Sequence, residues 1–196
     1  MLSVLSYFFP KLQELVNPRY MGSIDQSLQI MTVAIVASFL PWQVVRMWGR
    51  FVLLLIAYGI VNDLFACRVC PEYFTVGHFY DGQNLGHRLI KTMDPTLTAL
   101  VWGLVVTATL GGLGSIPLAF KYSGSRFNET FVMECAFMYL FAVLAFADIA
   151  SQIIKTYVEH YHGVPNNFQA GWHATNVRNS MGYIGLIGGG LVALCL

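Results

Sequence analysis

Charged residues are scarce in this chain of 196 residues, since only 11% of its side chains belong to Asp, Glu, Lys or Arg. Soluble domains carry about 25% of such residues, so the deficit argues against an ordinary soluble domain. The few charges also nearly cancel, because 11 basic and 10 acidic residues leave a formal net charge of +1. That balance provides no basic surface for nucleic acid, and we expect no nucleic-acid partner.

Motifs with a recognisable chemistry are also sparse. Cys67 and Cys70 form one C-x-x-C with no second pair elsewhere, which is weak support for a structural zinc site. A redox or structural disulfide, and two ordinary interfacial cysteines, are the other interpretations of this pair. Glu159 and His162 form one Glu-x-x-His, the spacing of helical di-iron sites, but those sites need two such motifs.

Apolar residues, by contrast, make up 56% of the chain, and the mean hydropathy is +0.59. Several apolar runs approach the ~20 residues that a helix needs to cross a bilayer. We therefore predict an all-α fold, a polytopic transmembrane helical bundle of four spans that has the lipid bilayer as its partner. A fifth, N-terminal or interfacial helix is a further candidate.

The predicted spans divide the chain into an N-terminal region, 1–50, and a bundle, 51–196. Asp94 and Pro95 are typical of an N-cap followed by proline in the first helical turn. Gly163 and Pro165 are expected to end the third helix near His162. The spans themselves are predicted at 51–69, 97–120 and 131–154, with a fourth helix that starts near Phe168, enters the membrane near Ser180 and ends with the chain.

The N-terminal region contains two segments with more than one interpretation. Residues 1–16 carry apolar residues at helical spacing, but Pro10, Lys11 and Glu14 interrupt them, so we expect no cleaved signal peptide. An interfacial helix and a partly ordered leader are both compatible with this segment. Residues 27–45, interrupted by Pro41, form either a short re-entrant helix or an interfacial helix that leads into the first span.

The number of crossings decides which connectors share a face of the membrane. Two spans separate connector 70–94 from connector 155–178, so both must lie on the same side. The basic residues divide six to five between the two sides, and the positive-inside rule therefore does not choose an orientation. We predict that the histidine side is extracytoplasmic. All five histidines fall there: His78, His87, His160, His162 and His173.

Acidic residues inside the apolar runs point to a polar pocket near that face. Asp63 in the first span and Asp148 in the third should enter the bundle to a similar depth. A carboxylate in hydrocarbon costs several kcal/mol unless pairing, protonation or a bound cation offsets the cost. The alternative is that each acid bonds only to a neighbouring helix, or to Arg68 or Lys155.

We predict two sets of pocket residues, although the sequence indicates no reaction and leaves open whether the protein is an enzyme. Imidazole and carboxylate groups suit a divalent metal such as Zn, Fe, Mn or Cu. The competing interpretation of the histidines is a solvated interfacial loop. The ligand-binding set is Asp63, Glu72, Asn179 and Tyr183, and the metal set is His78, Asp148, Glu159, His162 and His173.

Glycine clusters in the second and fourth spans suggest a second kind of function. Gly185-xxx-Gly189 is a small-xxx-small pattern, which allows helix backbones to approach closely. Together with Gly111, Gly112 and Gly114 it predicts close contact between spans two and four, or with another subunit. The protein would then be a structural or accessory subunit of a larger membrane complex, or a homo-oligomer.

Two stretches resemble a group of uncharacterised bacterial four-span membrane proteins: residues 58–64, Tyr-Gly-Ile-Val-Asn-Asp-Leu, and 70–75, Cys-Pro-Glu-Tyr-Phe-Thr. The group has a Tyr-Gly-x-x-His-Asp-Gln stretch followed by Ser-Pro-Glu-Tyr-Phe-Thr, and its last span is similar to residues 179–185. The resemblance implies a bacterial inner membrane location and importance for Asp63 and Glu72. This chain has Asn62 where the group has His, and Leu64 where it has Gln, so a site built on that His-Asp-Gln would be altered here.

Overall fold

The computed structural model describes residues 38–77, 94–125, 127–163 and 168–196. Every regular element in these ranges is helical, which confirms the all-α prediction. Four long α-helices, α1 to α4, are accompanied by one short π-helical segment that follows α1. Their bounds are Trp42–Val69 for α1, Tyr73–Gly77 for the π-helical segment, Pro95–Tyr122 for α2, Glu129–His162 for α3 and Phe168–Cys195 for α4.

The helix ends follow the local signals in the sequence. The Asp94 carboxylate accepts a hydrogen bond from the Leu97 amide at 2.7 Å, and Pro95 occupies the first turn of α2. The Asn128 side chain accepts from the Thr130 amide at 2.9 Å at the start of α3. Gly163 has φ 66°, the left-handed conformation that favours glycine, and ends α3 as predicted.

The first long helix begins at Trp42, directly after Pro41, rather than at Phe51. Because the residue before a proline disfavours helix, Pro41 marks a natural boundary, and nothing after it interrupts the helix before Val69. The chain forms two compact units, Met1–Pro41 and Trp42–Leu196. Residues 1–37 lie outside the described part, so the predictions for the leader and for most of 27–45 concern residues that are not described.

Three of the long helices are long and apolar enough to cross a membrane: α1, α2 and α3. This supports the prediction of transmembrane helices in a bilayer. The 28-residue α4 does not belong to this group, since its first half carries polar side chains such as Gln169, His173 and Arg178. The fourth crossing therefore stays a prediction.

The helices pack as two antiparallel pairs, α1 with α2 and α3 with α4. In the first pair the Trp48 indole donates to the Gly112 carbonyl at 2.7 Å. In the second pair the Tyr139 hydroxyl donates to the Gly185 carbonyl at 2.7 Å. Contacts of Tyr58 on α1 with Leu140 and Val143 on α3 join the two pairs.

Glycines determine how closely the helices of each pair approach, but the pairing differs from the prediction. A Cβ on Gly103 of α2 would lie 2.7 Å from the Gly59 backbone of α1. A Cβ on Gly185 would lie 2.7 Å from Val143, and one on Gly189 would meet the Tyr139 ring. The small-xxx-small face of α4 thus contacts α3 rather than α2. The second and fourth spans do meet, but through Lys121 and Tyr122, which donate to the Leu194 and Ala193 carbonyls at 2.7 and 2.6 Å, rather than through these glycines. Contact of the glycine face with another subunit stays a prediction.

The two ends of the bundle carry different groups. At one end Arg46 and Arg50 form ion pairs with Glu129, at 2.7 and 3.0 Å. At the other end a Cβ on Gly171 at the start of α4 would lie 3.3 Å from the Cβ of Cys70. The connector that follows α1 and the start of α4 therefore share one end of the bundle, as the counting of crossings predicts.

Candidate functional site

A buried arginine forms the centre of a polar network between the two helix pairs. The Arg178 side chain on α4 is 1% exposed, and its Nη1 donates to Oδ1 of Asp148 on α3 at 2.6 Å. Its Nε donates to Oδ1 of Asn62 on α1 at 3.1 Å. The face of its guanidinium lies 5.1 Å from the ring centroid of Phe65, a cation–π distance. One side chain thus links three helices.

Two further polar residues, Asn179 and Tyr73, continue the network towards the end that carries the π-helical segment. Nδ2 of Asn62 donates to Oδ1 of Asn179 at 3.0 Å, and Nδ2 of Asn179 donates to the Tyr73 hydroxyl at 3.4 Å. The Tyr73 ring lies 5.0 Å from the Trp172 ring, measured between centroids. Burial raises the pKa of Tyr73, which keeps its hydroxyl neutral and able both to donate and to accept.

Asp63 joins the network at its α1 side. Its Oδ1 accepts a hydrogen bond from Nδ2 of Asn62 at 3.2 Å, and Asn62 is in turn bonded to Arg178. Asp63 and Asp148 are therefore connected through one amide and one guanidinium. The two acids therefore meet in one network, but through Asn62 and Arg178 rather than directly.

The charges of this network do not balance. Asp148 is paired directly with Arg178, but the carboxyl group of Asp63 meets the guanidinium only through the neutral amide of Asn62. With all three groups ionised, the network carries one net negative charge. A bound cation or a proton would neutralise it.

The predicted ligand-binding residues lie at different distances from this network. Asp63 and Asn179 belong to it, and Tyr183, which is 41% exposed, is within electrostatic range of Asp63. Glu72 is exposed and accepts a hydrogen bond from the Cys70 thiol at 3.6 Å. The site thus contains two of the four residues, with Tyr183 nearby and Glu72 at the adjoining end of the bundle.

Cys70 and Cys67 are buried beside Gly171 and α2, and both are free thiols. Burial raises the pKa of the Cys70 thiol to about 11, so the neutral thiol predominates at neutral pH. A neutral, 2% exposed thiol is a poor nucleophile and a poor metal ligand. This environment matches the interpretation of the pair as ordinary structural cysteines.

The residues of the predicted metal set are dispersed in the part of the chain that is described. Asp148 pairs with Arg178, and Glu159 lies 4.0 Å from the ammonium group of Lys155 on the same helix. His162 and His173 are exposed, and His78 lies outside the described residues. Within residues 38–77, 94–125, 127–163 and 168–196, no three His, Cys, Asp or Glu side chains are grouped so as to hold a metal ion.

Arg178, Asn62 and Tyr73 are the network residues that the sequence interpretation did not select. Arg178 was counted only as one of the basic residues on the histidine side. The sequence does contain a usable signal, because Arg178 is the one residue of the Asp, Glu, Lys and Arg types between Phe168 and Cys195, while two aspartates lie inside other predicted spans. A lone cation in an otherwise uncharged helix is a strong candidate partner for such acids.

No protein-family model, curated protein or solved structure matches this chain.

Proposed function

We propose that this chain is an integral membrane protein that crosses the bilayer four times and binds a small cation at the Arg178 network, near one face of the membrane. The observation that carries this proposal is the unequal number of charges in the network, two carboxyl groups against one guanidinium. In hydrocarbon an unbalanced carboxylate costs several kcal/mol, so neutralisation of Asp63 is favourable, and a bound small cation is the form of neutralisation that we propose.

The fourth crossing is supported by the helix packing. α4 has the same 28-residue length as α1 and lies alongside it, with Arg178 bonded to Asn62 and Gly182 next to Tyr58. Its buried arginine is neutralised by Asp148, which lowers the cost of placing that helix in the membrane. We also propose that the chain is related to the bacterial four-span membrane proteins that it resembles. The position of Asp63, which lies in one of the resembling stretches, within the network supports this relation.

Cation binding is tested by the thermal stability of the full chain in lipid nanodiscs. Sodium or potassium chloride is compared with N-methylglucamine chloride at equal ionic strength. We expect either alkali cation to raise the melting temperature of the wild type and to have no effect on Asp63→Asn, which removes one charge without changing the side-chain size. An equal shift in both proteins, or none in the wild type, would contradict the proposal.

A divalent metal ion is the second candidate for the cation that binds at this network. Elemental analysis of the purified protein for zinc, iron, manganese and copper tests it, with His173→Ala and Asp63→Ala as variants. One equivalent of metal that is lost in either variant would support a metal site that includes the substituted side chain. Metal that is retained in both variants would contradict a role for these two side chains.

A structural or accessory role in a membrane complex is the alternative function. It is favoured by one observation: each acid of the network already accepts a hydrogen bond from a protein group, Asp63 from Asn62 and Asp148 from Arg178. Native mass spectrometry from a mild detergent distinguishes the two functions. A stable assembly above the 21.9 kDa of one chain, with no cation effect on stability, would favour the structural role.

A further inference from the structure

Two buried hydroxyl groups, each three residues along the chain from one member of the Arg178–Asp148 pair, have no hydrogen-bond partner among the described residues. Ser151 on α3 and Thr175 on α4 are both 0% exposed, and neither hydroxyl oxygen bonds to any group within the described ranges. Buried hydroxyls are satisfied in most proteins, by protein groups or by water, because an unsatisfied one costs about 1–3 kcal/mol. Two such groups in one place therefore call for a ligand.

The antiparallel packing of α3 and α4 places these two residues at the same level. Ser151 follows Asp148 by three residues, and Thr175 precedes Arg178 by three. Because Asp148 and Arg178 are bonded across the helix pair, both hydroxyls lie about 4.5 Å further along the bundle, at a rise of 1.5 Å per residue. This displacement from the ion pair is directed towards the end of the bundle that carries the histidines of α3 and α4.

Other hydroxyls in this protein show how a membrane helix normally satisfies such groups. Thr98 and Thr109 of α2 each donate to the carbonyl four residues earlier, at 2.9 Å in both cases. Ser115 donates to the Gly112 carbonyl at 3.2 Å. Ser151 and Thr175 do not use this option, although it is open to any serine or threonine in a helix.

We propose that Ser151 and Thr175 form a binding site for a shared water molecule that lies next to the Arg178–Asp148 ion pair, on the histidine side of the bundle. A water molecule needs 2–4 polar partners, which two hydroxyls and the neighbouring carboxylate provide. Asp148 fits this role because its side chain is 43% exposed and only its Oδ1 is bonded to Arg178. The site extends the polar network by one helical turn towards solvent.

The test is a double-mutant cycle in the full chain, reconstituted in lipid nanodiscs and followed by thermal unfolding. Thr175→Val keeps the side-chain shape and removes the hydroxyl, and Ser151→Ala removes the other one. If both hydroxyls hold the same water, each single variant has a lower melting temperature than the wild type. The double variant then melts close to the lower of the two singles, because the water is already lost after the first substitution.

Two outcomes would overturn the shared site. A melting temperature that is unchanged or raised in Thr175→Val would show that the hydroxyl holds no ligand or turns to its own helix carbonyl. Full additivity of two decreases would show that each hydroxyl has a separate partner. Thr109→Val is the matched control, since it makes the same substitution at an exposed hydroxyl bonded to its own helix. The cycle does not depend on Asp63, so it can fail while cation binding holds, or the reverse.

Discussion

At the scale of single residues, Arg178 and Asp148 are bound to each other but do not depend on each other equally. The guanidinium is 1% exposed, whereas the carboxylate is 43% exposed. A fully buried charge that loses its partner stays uncompensated, whereas a side chain at the surface of the bundle can turn away to another environment. The arginine therefore needs the aspartate more than the aspartate needs the arginine.

This asymmetry predicts that Asp148→Asn is more destabilising than Arg178→Met. Removing the Asp148 charge leaves the buried guanidinium without a directly bonded counter-charge, because Asp63 reaches it only through the amide of Asn62. Breaking a buried ion pair in this way typically costs about 3–5 kcal/mol. The free energy of unfolding in mixed detergent micelles measures the effect. The double variant should be more stable than Asp148→Asn alone. An Arg178→Met protein that is less stable than Asp148→Asn would contradict the proposed dependence.

The Cys70 thiol provides a prediction about pH. Its pKa is raised by burial from 9.0 to about 11, so the folded state favours the protonated thiol. The resulting contribution to stability is complete below pH 9 and is lost as the pH rises through about 11. The free energy of unfolding of the wild type, compared with that of Cys70→Ser over a range of pH, measures the effect. The difference should be constant below pH 9 and should fall between pH 9 and about 11, and a difference that is independent of pH would refute the shift.

Some residues of the network could be predicted from the sequence, and others could not. Asp63, Asp148 and Asn179 were predictable, because polar groups in apolar runs are costly and must be used or paired. The partner Arg178 was not selected, because helical periodicity assigns a residue to a face but does not fix the rotation of one helix against another. That rotation decides whether an aspartate meets Lys155, Arg68 or Arg178.

At the scale of helices, most boundaries were predictable, with the exception of the start of α1 at Trp42 instead of Phe51, and the neighbours were not. Asp94 with Pro95, and Gly163, are local signals, and the helices begin and end where these signals predict. The contact partner of a glycine face depends on the opposing helix, which no local pattern specifies. For this reason the glycine pattern predicts contact with the second span or with another subunit, whereas Gly185 and Gly189 lie against Val143 and Tyr139 of the third helix.

The closest backbone contact predicts the most sensitive glycines. A Cβ on Gly59 would lie 2.6 Å from the Gly103 carbonyl oxygen and would also meet the Thr107 hydroxyl. Because backbone atoms cannot move aside, Gly59→Ala and Gly103→Ala should destabilise the protein by about 1–3 kcal/mol or more. Gly188→Ala is the control, since no heavy atom lies within 4 Å of its Cβ position, and it should be neutral or stabilising by up to about 1 kcal/mol. Similar unfolding free energies for all three variants would disprove the close approach.

At the scale of the whole molecule, the bundle has two chemically distinct ends. One end carries the Arg46 and Arg50 pairs with Glu129, together with Lys121, whose ammonium group donates to the Leu194 carbonyl at 2.7 Å. The opposite end carries the exposed His160 and His162 of α3 and His173 of α4. Because Lys121 of α2 reaches the last turn of α4, the C-terminus belongs to the arginine end of the bundle.

This arrangement distinguishes three crossings from four. If α4 crosses the bilayer, residues Ser125 and Leu196 lie on the same side of the membrane, and His160 lies on the other. If α4 does not cross, Leu196 is found on the side of His160. The difference arises because each crossing reverses the side of every residue that follows it.

Single-cysteine variants at these three positions, in a chain without its own cysteines, test the topology. A membrane-impermeant maleimide is applied to intact spheroplasts and to lysed ones. We expect His160→Cys to react in intact spheroplasts, and Ser125→Cys and Leu196→Cys to react only after lysis, because the histidine end is predicted to be extracytoplasmic. Reaction of Leu196→Cys together with His160→Cys would reduce the count to three spans. The Arg178 network would then have to form with α4 outside the bilayer, where an unbalanced carboxylate no longer requires a cation.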